Sequence, residues 1–218
     1  MAKYENVKTN DSVMESDLET KESEEEVKLR KIIKEVKEHV AMKDRKLPRI
    51  FGKTIVLYQA NNQAVLTIGP HIGFTICLFV TIIAVSIGAI YLASLSSGIL
   101  ALVGAIIGLL LLIALGFTAL VAPGHPSLEV TEEDLKLVEQ DHQVWCKICK
   151  VIKRKGDQHC SECYSCVEGM DHHCPWMGKC VGKGNLAFFD LFIILAGVYF
   201  IFLFATVISY LVATGDDS

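Results

Sequence analysis

Three long apolar segments dominate the pattern of hydrophobic and polar positions in this chain of 218 residues. They cover 72–95, 98–121 and 191–214, and none of them contains a charged side chain. A helix needs roughly 20 mostly apolar residues to cross the hydrocarbon core of a bilayer. Buried helices of soluble proteins rarely continue this far without a polar face. The pattern therefore predicts three transmembrane helices. No apolar run lies near Met1, so no cleavable signal peptide is expected.

The region before the first apolar segment, 1–66, changes from acidic to basic. Residues 1–26 carry nine acidic and three basic side chains and few apolar ones, which predicts disorder. Apolar residues then recur at about helical spacing among lysines, which predicts a basic amphipathic helix over 27–47. Such a helix either lies on the anionic cytosolic leaflet or remains in solvent, and the pattern favours neither.

Two shorter patterns lie on either side of the first two apolar segments. A β-branched run within 50–66 fits a strand or a juxtamembrane segment. In the linker 122–145, the run from Thr131 to Asp134 has the composition of a helix start, and a short helix to about Gln140 is expected.

Composition and charge place these elements in an integral membrane protein with polar attachments, not in one soluble domain. About half of the residues, 51%, are hydrophobic, yet all charged residues lie outside the three apolar segments. Lysine and arginine are frequent before the first segment and between the second and third, whereas the connection 94–97 has none. Because loops rich in these residues stay in the cytosol, the N-terminal region and the loop between the second and third segments are predicted to be cytosolic.

That cytosolic loop contains the chemistry of the chain. Seven of the eight cysteines lie between Cys146 and Cys180, together with three histidines. Cytosolic thiols are kept reduced, so clustered cysteines and histidines there are typical of metal sites or catalytic groups. The ten candidates are Cys146, Cys149, His159, Cys160, Cys163, Cys166, His172, His173, Cys174 and Cys180.

The spacing of these residues predicts zinc binding. The unit Cys-x2-Cys occurs three times, and the last two units share Cys163. Each unit can place two thiolates on one ion, and structural zinc takes four nitrogen or sulfur ligands in a tetrahedron. Six cysteines and two histidines would fill two such sites, although spacing alone leaves their partition open. The loop is short and mostly polar, so metal coordination would supply much of its folding free energy.

Two zinc sites leave one cysteine and one histidine over. Cys174 is the best candidate for the spare thiol, since His172 can take its proton and Asp171 can hold the imidazole in the required tautomer. The alternative is that Cys174 is a spare metal ligand. A nucleophilic thiol just before an apolar segment would lie at the membrane surface, which indicates acyl transfer from a lipid thioester to a protein thiol.

The loop resembles the cysteine-rich domain of the DHHC protein S-acyltransferases (palmitoyltransferases). The residues that carry the resemblance are Cys146-x2-Cys149, His159-Cys160-x2-Cys163-x2-Cys166, Asp171-His172-His173-Cys174-Pro175-Trp176, Cys180-Val181-Gly182, Asn185 and Phe189. This motif is long and highly specific, and the apolar segments on its two sides are placed as in the family.

The resemblance implies a fold class and a domain organisation. The protein would be an all-α integral membrane protein with three transmembrane helices. A cytosolic two-zinc domain over 146–189 would separate the second helix from the third. Residues 190–218 would form the third helix and a short non-cytosolic tail.

The resemblance also implies a reaction and its site. Cys174, polarised by Asp171 and His172, would take palmitate from palmitoyl-CoA as an acyl-enzyme and pass it to cysteines of substrate proteins. One structural zinc ion would bind Cys146, Cys149, His159 and Cys166, and the other would bind Cys160, Cys163, His173 and Cys180. The expected partners are palmitoyl-CoA, the bilayer and substrate proteins, but no nucleic acid. The expected location is the endomembrane system (Golgi, endoplasmic reticulum or plasma membrane), with the active face in the cytosol.

Four features depart from the family pattern. The segment 153–158 has no proline, Ala122 replaces the usual Asp of an Asp-Pro-Gly run, and Lys179 replaces the usual Asn, where it could favour the thiolate or the CoA phosphates. Family members also usually have a fourth span and a Thr-Thr-x-Glu motif beyond the third. These departures keep two hypotheses open besides an active enzyme: a chain that completes its acyl site by oligomerising, and a catalytically weak or truncated zinc-binding interaction protein of the membrane.

Overall fold

The computed structural model describes residues 11–42 and 45–215. Within these residues the chain forms five α-helices: α1 (Asp11–Ala41), α2 (Ile72–Ser96), α3 (Gly98–Leu120), α4 (Glu132–Gln140) and α5 (Leu186–Gly215). They belong to two compact units. The first unit contains α1 and α4, and the second contains the three apolar helices together with the cysteine-rich region.

In the first unit, α1 packs against α4. Ile32 and Val36 on α1 are buried, as are Leu135 and Val138 on α4. The predicted start of α4 is confirmed, since the Thr131 side chain accepts from the Asp134 backbone N–H while the Asp134 carboxylate accepts from the Thr131 N–H. This capping box satisfies two backbone donors that the helix itself leaves open.

The N-terminal helix differs from its prediction at both ends. It already contains 11–26, which were expected to be disordered, and it ends at Ala41 rather than at residue 47. Residues 1–10 lie outside the described part of the chain. Ile32 and Val36 are buried, so the apolar face of α1 packs within the protein. Periodicity along one segment predicts an apolar face but not the surface that covers it.

In the second unit, α2, α3 and α5 pack side by side, and each is long and apolar enough to cross a membrane. The three predicted apolar segments are therefore confirmed as helices. Only Ser97 separates α2 from α3, and α5 begins at Leu186, five residues before the predicted start. A buried cluster fills the space between the helices, with Leu111 and Leu115 from α3 and Phe192 and Tyr199 from α5.

The all-α prediction is wrong for the polar part of the chain, where the described residues form nine short strands. A three-stranded antiparallel sheet has the order β1 (Ile50–Phe51), β2 (Thr54–Ala60) and β3 (Gln63–Ile68). The cysteine-rich region adds three two-stranded pairs: β4 (Trp145–Cys146) with β5 (Val151–Ile152), β6 (Gln158–Cys160) with β7 (Ser165–Val167), and β8 (His172–Cys174) with β9 (Lys179–Val181). The weak β-branched signal within 50–66 was thus a strand signal.

The three-stranded sheet packs closely on the cysteine-rich region. Phe51 and Val56 share a buried cluster with Cys146, Val151 and Cys166. Gly52 adopts φ +64, and a Cβ there would lie 2.3 Å from a backbone oxygen of the cysteine-rich region, so only glycine fits. The sheet therefore forms one wall of that region.

Candidate active site and metal centres

Two clusters of four ligand atoms form within the cysteine-rich region. The first contains Cys146, Cys149, His159 and Cys166, and the second contains Cys160, Cys163, His173 and Cys180. In each cluster the ligand atoms all lie within 4.8 Å of one another. The interleaved partition that the resemblance implied is therefore the partition into which the chain folds.

Distances within the clusters fit a tetrahedral ion. His159 Nδ1 lies 3.6, 3.3 and 3.8 Å from the Sγ atoms of Cys146, Cys149 and Cys166. His173 Nδ1 lies 3.5, 3.4 and 3.5 Å from those of the other three cysteines. Zinc with Zn–S bonds of about 2.3 Å and Zn–N bonds of about 2.1 Å separates tetrahedral N and S ligands by about 3.6 Å. The residues present therefore fit zinc at both positions.

Each cluster is built on a knuckle of the same shape. The Cys149 N–H points to Cys146 Sγ at 3.4 Å, and the Cys163 N–H points to Cys160 Sγ at 3.3 Å. The residue after each knuckle has a positive φ, 56° at Lys150 and 55° at Tyr164. The local backbone of each knuckle therefore places two sulfurs of the cluster close together without help from the ligands that are more distant in sequence.

Without a cation the thiols of each cluster cannot all ionise. Hydrogen bonding to Cys166 lowers the pKa of Cys149 to about 6, and the same contact raises the pKa of Cys166. In the second cluster, hydrogen bonding to Cys180 lowers the pKa of Cys163 to about 5, while that of Cys180 is raised. A divalent ion relieves this conflict, because it binds thiolates and releases their protons.

Strand β8 separates the metal ligand from the groups left for chemistry. Successive side chains of a strand point to opposite faces. His173, paired with Cys180 on β9, belongs to the second cluster. His172 and Cys174 therefore share the other face of the same strand, which brings the candidate base and the candidate nucleophile to one side.

His172 is held by two neighbours. Its Nδ1 lies 2.8 Å from Asp171 Oδ2, and its ring makes an edge contact with Phe189 at a centroid distance of 5.2 Å. A proton on Nδ1 shared with the carboxylate leaves Nε2 as the basic nitrogen. The predicted Asp–His pair is thus in place.

Cys174 lies where the cysteine-rich region meets the apolar helices. Its side chain is 8% exposed and belongs to the same buried cluster as Leu111, Leu115 and Phe192. Gly178, at the end of the following turn, has φ +76, and a Cβ there would lie 2.8 Å from Thr75 Oγ1 on α2. The thiol therefore borders the apolar interior between the helices.

Asn185 holds this arrangement together, and only the family resemblance had pointed to this residue. It is fully buried, and its Oδ1 accepts from the Gly182 N–H at 2.9 Å. Its Nδ2 donates to the carbonyls of Thr118 on α3 and Cys180 on β9, both at 3.2 Å. One amide thus joins an apolar helix, a zinc-ligand strand and the start of α5.

Two other residues occupy unexpected positions. Lys179 is 1% exposed, and its Nζ donates to Thr67 Oγ1 at 2.9 Å and to the Thr67 carbonyl at 3.0 Å. The ammonium therefore points into the protein and not towards solvent, where CoA phosphates would approach. Burial lowers the pKa of Lys179 to about 7, and attraction to Cys163 opposes that shift. His125 is 3% exposed, with Nδ1 3.0 Å from the Cys166 carbonyl oxygen. The run Pro123-Gly124-His125 has the composition of an ordinary turn, so the burial of His125 could not be predicted from it.

Comparisons with known proteins agree with this site. The family model for DHHC palmitoyltransferase matches residues 139–218. Human palmitoyltransferase ZDHHC14 is 46% identical over 74 residues, 34% of this chain and 15% of that protein. Mouse ZDHHC18 is 42% identical over 74 residues, and bovine ZDHHC9 is 47% identical over 66 residues, which are 20% and 18% of their lengths. The aligned stretch of this chain thus spans a fifth or less of each relative.

The class of the site follows from these observations. Two Cys3His clusters that fit zinc, a strand that turns His173 and Cys174 to opposite faces, and flanking apolar helices are the features of this site. They lie in or beside residues 139–218, the stretch that matches the DHHC palmitoyltransferase family.

Proposed function

We propose that this chain is a protein S-acyltransferase that uses palmitoyl-CoA and forms an acyl-enzyme on Cys174. The observation that carries the proposal is that His172 and Cys174 share one face of β8, while the Asp171 carboxylate contacts Nδ1 of the His172 ring. Relatives named palmitoyltransferases support the same chemistry.

The first half-reaction needs a thiolate and a leaving group. His172 Nε2 takes the proton of the Cys174 thiol, and Asp171 stabilises the imidazolium that results. The sulfur attacks the thioester carbonyl carbon, the bond from that carbon to the CoA sulfur breaks, and His172 returns its proton to the departing CoA thiolate. The acyl chain is then bound to Cys174 as a new thioester.

The second half-reaction repeats these steps with a protein thiol. His172 takes the proton of a substrate cysteine, whose sulfur attacks the acyl carbon on Cys174. The Cys174 sulfur leaves and regains a proton from His172, which regenerates the resting enzyme. The apolar cluster that contains Cys174 offers the acyl chain a water-free position between α3 and α5.

The metal ions have a structural role in this proposal. Two zinc ions, bound by the two clusters, would hold β6 to β9 in place. They supply no acid or nucleophile, because all four ligands of each ion come from the protein. Phe189 contacts the His172 ring and Asn185 binds the Gly182 backbone, so both would act as positioning residues.

We also propose a membrane topology. Positive charges before α2 and between α3 and α5 favour a cytosolic position for the N-terminal region and the zinc domain. The substrate proteins would then be cytosolic or membrane-associated, and the membrane would be one of the endomembrane system.

Acyl-enzyme formation tests the proposal. The full chain, purified in detergent, is incubated with alkynyl palmitoyl-CoA, and the covalent label is measured together with zinc content. We expect the wild-type chain to take up label that hydroxylamine removes, and Cys174→Ser to take up none while still binding about two zinc ions. Cys77→Ser, in α2 and outside both clusters, is the matched control and should label normally. A wild-type chain that binds its zinc but takes no label would contradict the proposal.

A further inference from the structure

The three-stranded sheet β1–β3 is apolar on both of its faces, and only one of them is covered. Directly opposite residues of an antiparallel pair point to the same face. Phe51 pairs with Thr54 and Val56 pairs with Thr67, and all four are buried. This inner face is the one that packs on the cysteine-rich region.

The outer face of the sheet carries a row of exposed apolar side chains. Ile50 pairs with Ile55, and Ile55 pairs with Ile68, so these three residues form an isoleucine row across the sheet. Ile50 is 63% exposed and Ile55 is 48% exposed. Tyr58, which is also exposed, pairs with Leu66 on the same face. A sheet face in contact with water is normally polar, so this row indicates an interaction surface.

The isoleucine row begins next to a helix that can cross a membrane. Ile68 ends β3, and Ile72 begins α2, so their Cα atoms can be at most about 14 Å apart. The connection is fixed, because the His71 N–H donates to the Gly178 carbonyl at 3.1 Å. A Cβ on Gly69 would lie 2.2 Å from that same oxygen. The sheet therefore stays close to the start of α2.

A second contact holds the sheet to the end of α3. Leu66 forms an antiparallel bridge with Val121, the residue that follows α3. The Ala122 N–H donates to the Val65 carbonyl at 2.9 Å. The sheet thus lies at the end of the helix bundle where α2 begins and α3 ends, which is where a bilayer around these helices would meet water.

The charges beside the row favour a lipid surface over water or an acidic neighbour. Residues 45–128 contain no aspartate or glutamate. Lys46, Arg49 and Lys53 flank β1 and are all exposed. Arg49 also lines the same surface groove as Ile55. Apolar side chains edged by lysine and arginine are typical of segments that lie on anionic membranes.

We propose that the isoleucine row and Tyr58 lie in the headgroup region of the bilayer beside α2, where Arg49 and Lys53 bind anionic lipids. The inference goes beyond the proposed function, since it rests on the insertion of α2 in a membrane and not on acyl transfer. The Lys53 N–H donates to the Cys163 carbonyl at 2.8 Å, so the sheet also holds the cysteine-rich region. Lipid contact by the sheet therefore fixes the height of that region above the bilayer.

The test is photochemical cross-linking from single positions. The full chain, with Ile55→p-benzoylphenylalanine, is placed in nanodiscs of phosphatidylcholine and phosphatidylserine and irradiated, and its adducts are identified by mass spectrometry. We expect a lipid adduct at position 55. The same probe at Gln63, exposed at the other end of β3, is the matched control and should give several-fold less. The probe at Ile83, exposed within α2, reports insertion of the helix itself.

A second pair of variants tests the charges. Arg49→Gln combined with Lys53→Gln should lower the share of phosphatidylserine among the adducts at position 55 by about fivefold or more. Lys136→Gln combined with Lys147→Gln makes the same change in net charge at two exposed positions outside the sheet, and it should leave that share unchanged. An unchanged share in the first pair would overturn the role of the two cations.

Three results would overturn the lipid contact. They are no lipid adduct at position 55 in a chain that labels at 83, equal labelling at 55 and 63, and an adduct at 55 to a second copy of the chain. Absence of lipid adducts at position 83 would show that α2 does not lie in a bilayer, and the inference would fail with it. Lipid adducts at 55 and 83 in a chain that forms no acyl-enzyme would support the inference and contradict the proposed function alone.

Discussion

At the residue level, the alternation of side chains along β8 separates the candidate metal ligand His173 from the candidate catalytic residues His172 and Cys174. His173 and Cys180 face each other across the hairpin and both belong to a metal cluster. His172, on the opposite face, is left with the Asp171 carboxylate at 2.8 Å. A one-residue shift of this strand would exchange the two histidines, so the register that assembles the second cluster also sets the candidate catalytic pair.

Removing the charge of Asp171 should slow the acyl-enzyme step. Asp171→Asn keeps the shape of the side chain but cannot stabilise an imidazolium on His172, and general acid–base effects of this kind amount to about 10²–10⁴-fold in rate. We expect the initial rate of Cys174 labelling to fall within that range while zinc content stays constant. Asp190→Asn, on the exposed surface near the start of α5, provides the control. Equal labelling rates in the two variants would contradict a role for Asp171.

Asn185 offers a prediction about position rather than chemistry. Asn185→Asp keeps the acceptor for Gly182 but removes both donors, which leaves the buried carbonyls of Thr118 and Cys180 unpaired. Each unpaired buried group costs about 1–3 kcal/mol. We expect a lower midpoint of thermal unfolding and slower labelling of Cys174, measured on the same preparation. An unchanged midpoint would show that these bonds do not hold the zinc domain to α3.

At the scale of the element, α2 and α5 are joined by a polar contact inside an apolar bundle. The Tyr199 hydroxyl donates to Ser86 Oγ at 2.9 Å, and both side chains are buried. Gly108 on α3 faces the pair, since a Cβ there would lie 3.0 Å from Ser86 Oγ. Tyr199 lies 13 residues along α5, which is about 20 Å from the start of the helix.

The length of the acyl chain should depend on this contact. Tyr199→Ala would remove a large side chain and the hydrogen bond from the deep end of the interior that borders Cys174. We expect the variant to accept stearoyl-CoA better relative to palmitoyl-CoA than the wild-type chain does, measured by competition between the two donors in the labelling assay. Tyr210→Ala, further along α5, is the control. A wild-type ratio in Tyr199→Ala would place the acyl chain elsewhere.

At the scale of the whole molecule, the polar and apolar parts of the second unit should respond differently to metal removal. The three apolar helices satisfy their own backbone hydrogen bonds, whereas the hairpins β4 to β9 are only two or three residues per strand. Such hairpins have little stability of their own. Metal binding must therefore contribute much of the folding free energy of the region.

Chelation should thus unfold the cysteine-rich region and leave the helices intact. We expect a strong chelator to abolish Cys174 labelling and to open 146–184 to limited proteolysis, while circular dichroism retains most of the helical signal. Restoring zinc should reverse both effects. Full labelling in protein shown to be free of metal would contradict a structural role for the two clusters.

The membrane topology can be tested at the same scale. An epitope placed before Met1 should be removed by protease added to the outside of sealed microsomes, and so should the zinc domain, if both are cytosolic. Protection of the epitope in intact vesicles, with digestion after detergent, would reverse the proposed orientation. This outcome would not affect the geometry of the site.

Much of this protein could be predicted from local patterns. The three apolar helices follow from segments longer than a bilayer needs. The capping box at Thr131 and the two knuckles follow from a few neighbouring residues, because hydrogen bonds between near neighbours determine them. The set of ten candidate cysteines and histidines also follows from spacing, since few chemistries use so many thiols in one short loop.

Folding brings the candidate ligands together in two sets of four, assigns each histidine of β8 to a face, and buries Lys179, Asn185 and His125. The register of the hairpins settles the first two, and contacts across long separations in sequence settle the third, as when Lys179 meets Thr67. Strands of two or three residues leave almost no periodic signal, so the β-structure of the cysteine-rich region was not predicted. The long apolar helices and the chemical groups could be predicted from residue type and local order. The fold determined the geometry of the site, because that depends on which distant segments the metal clusters and the buried side chains bring together.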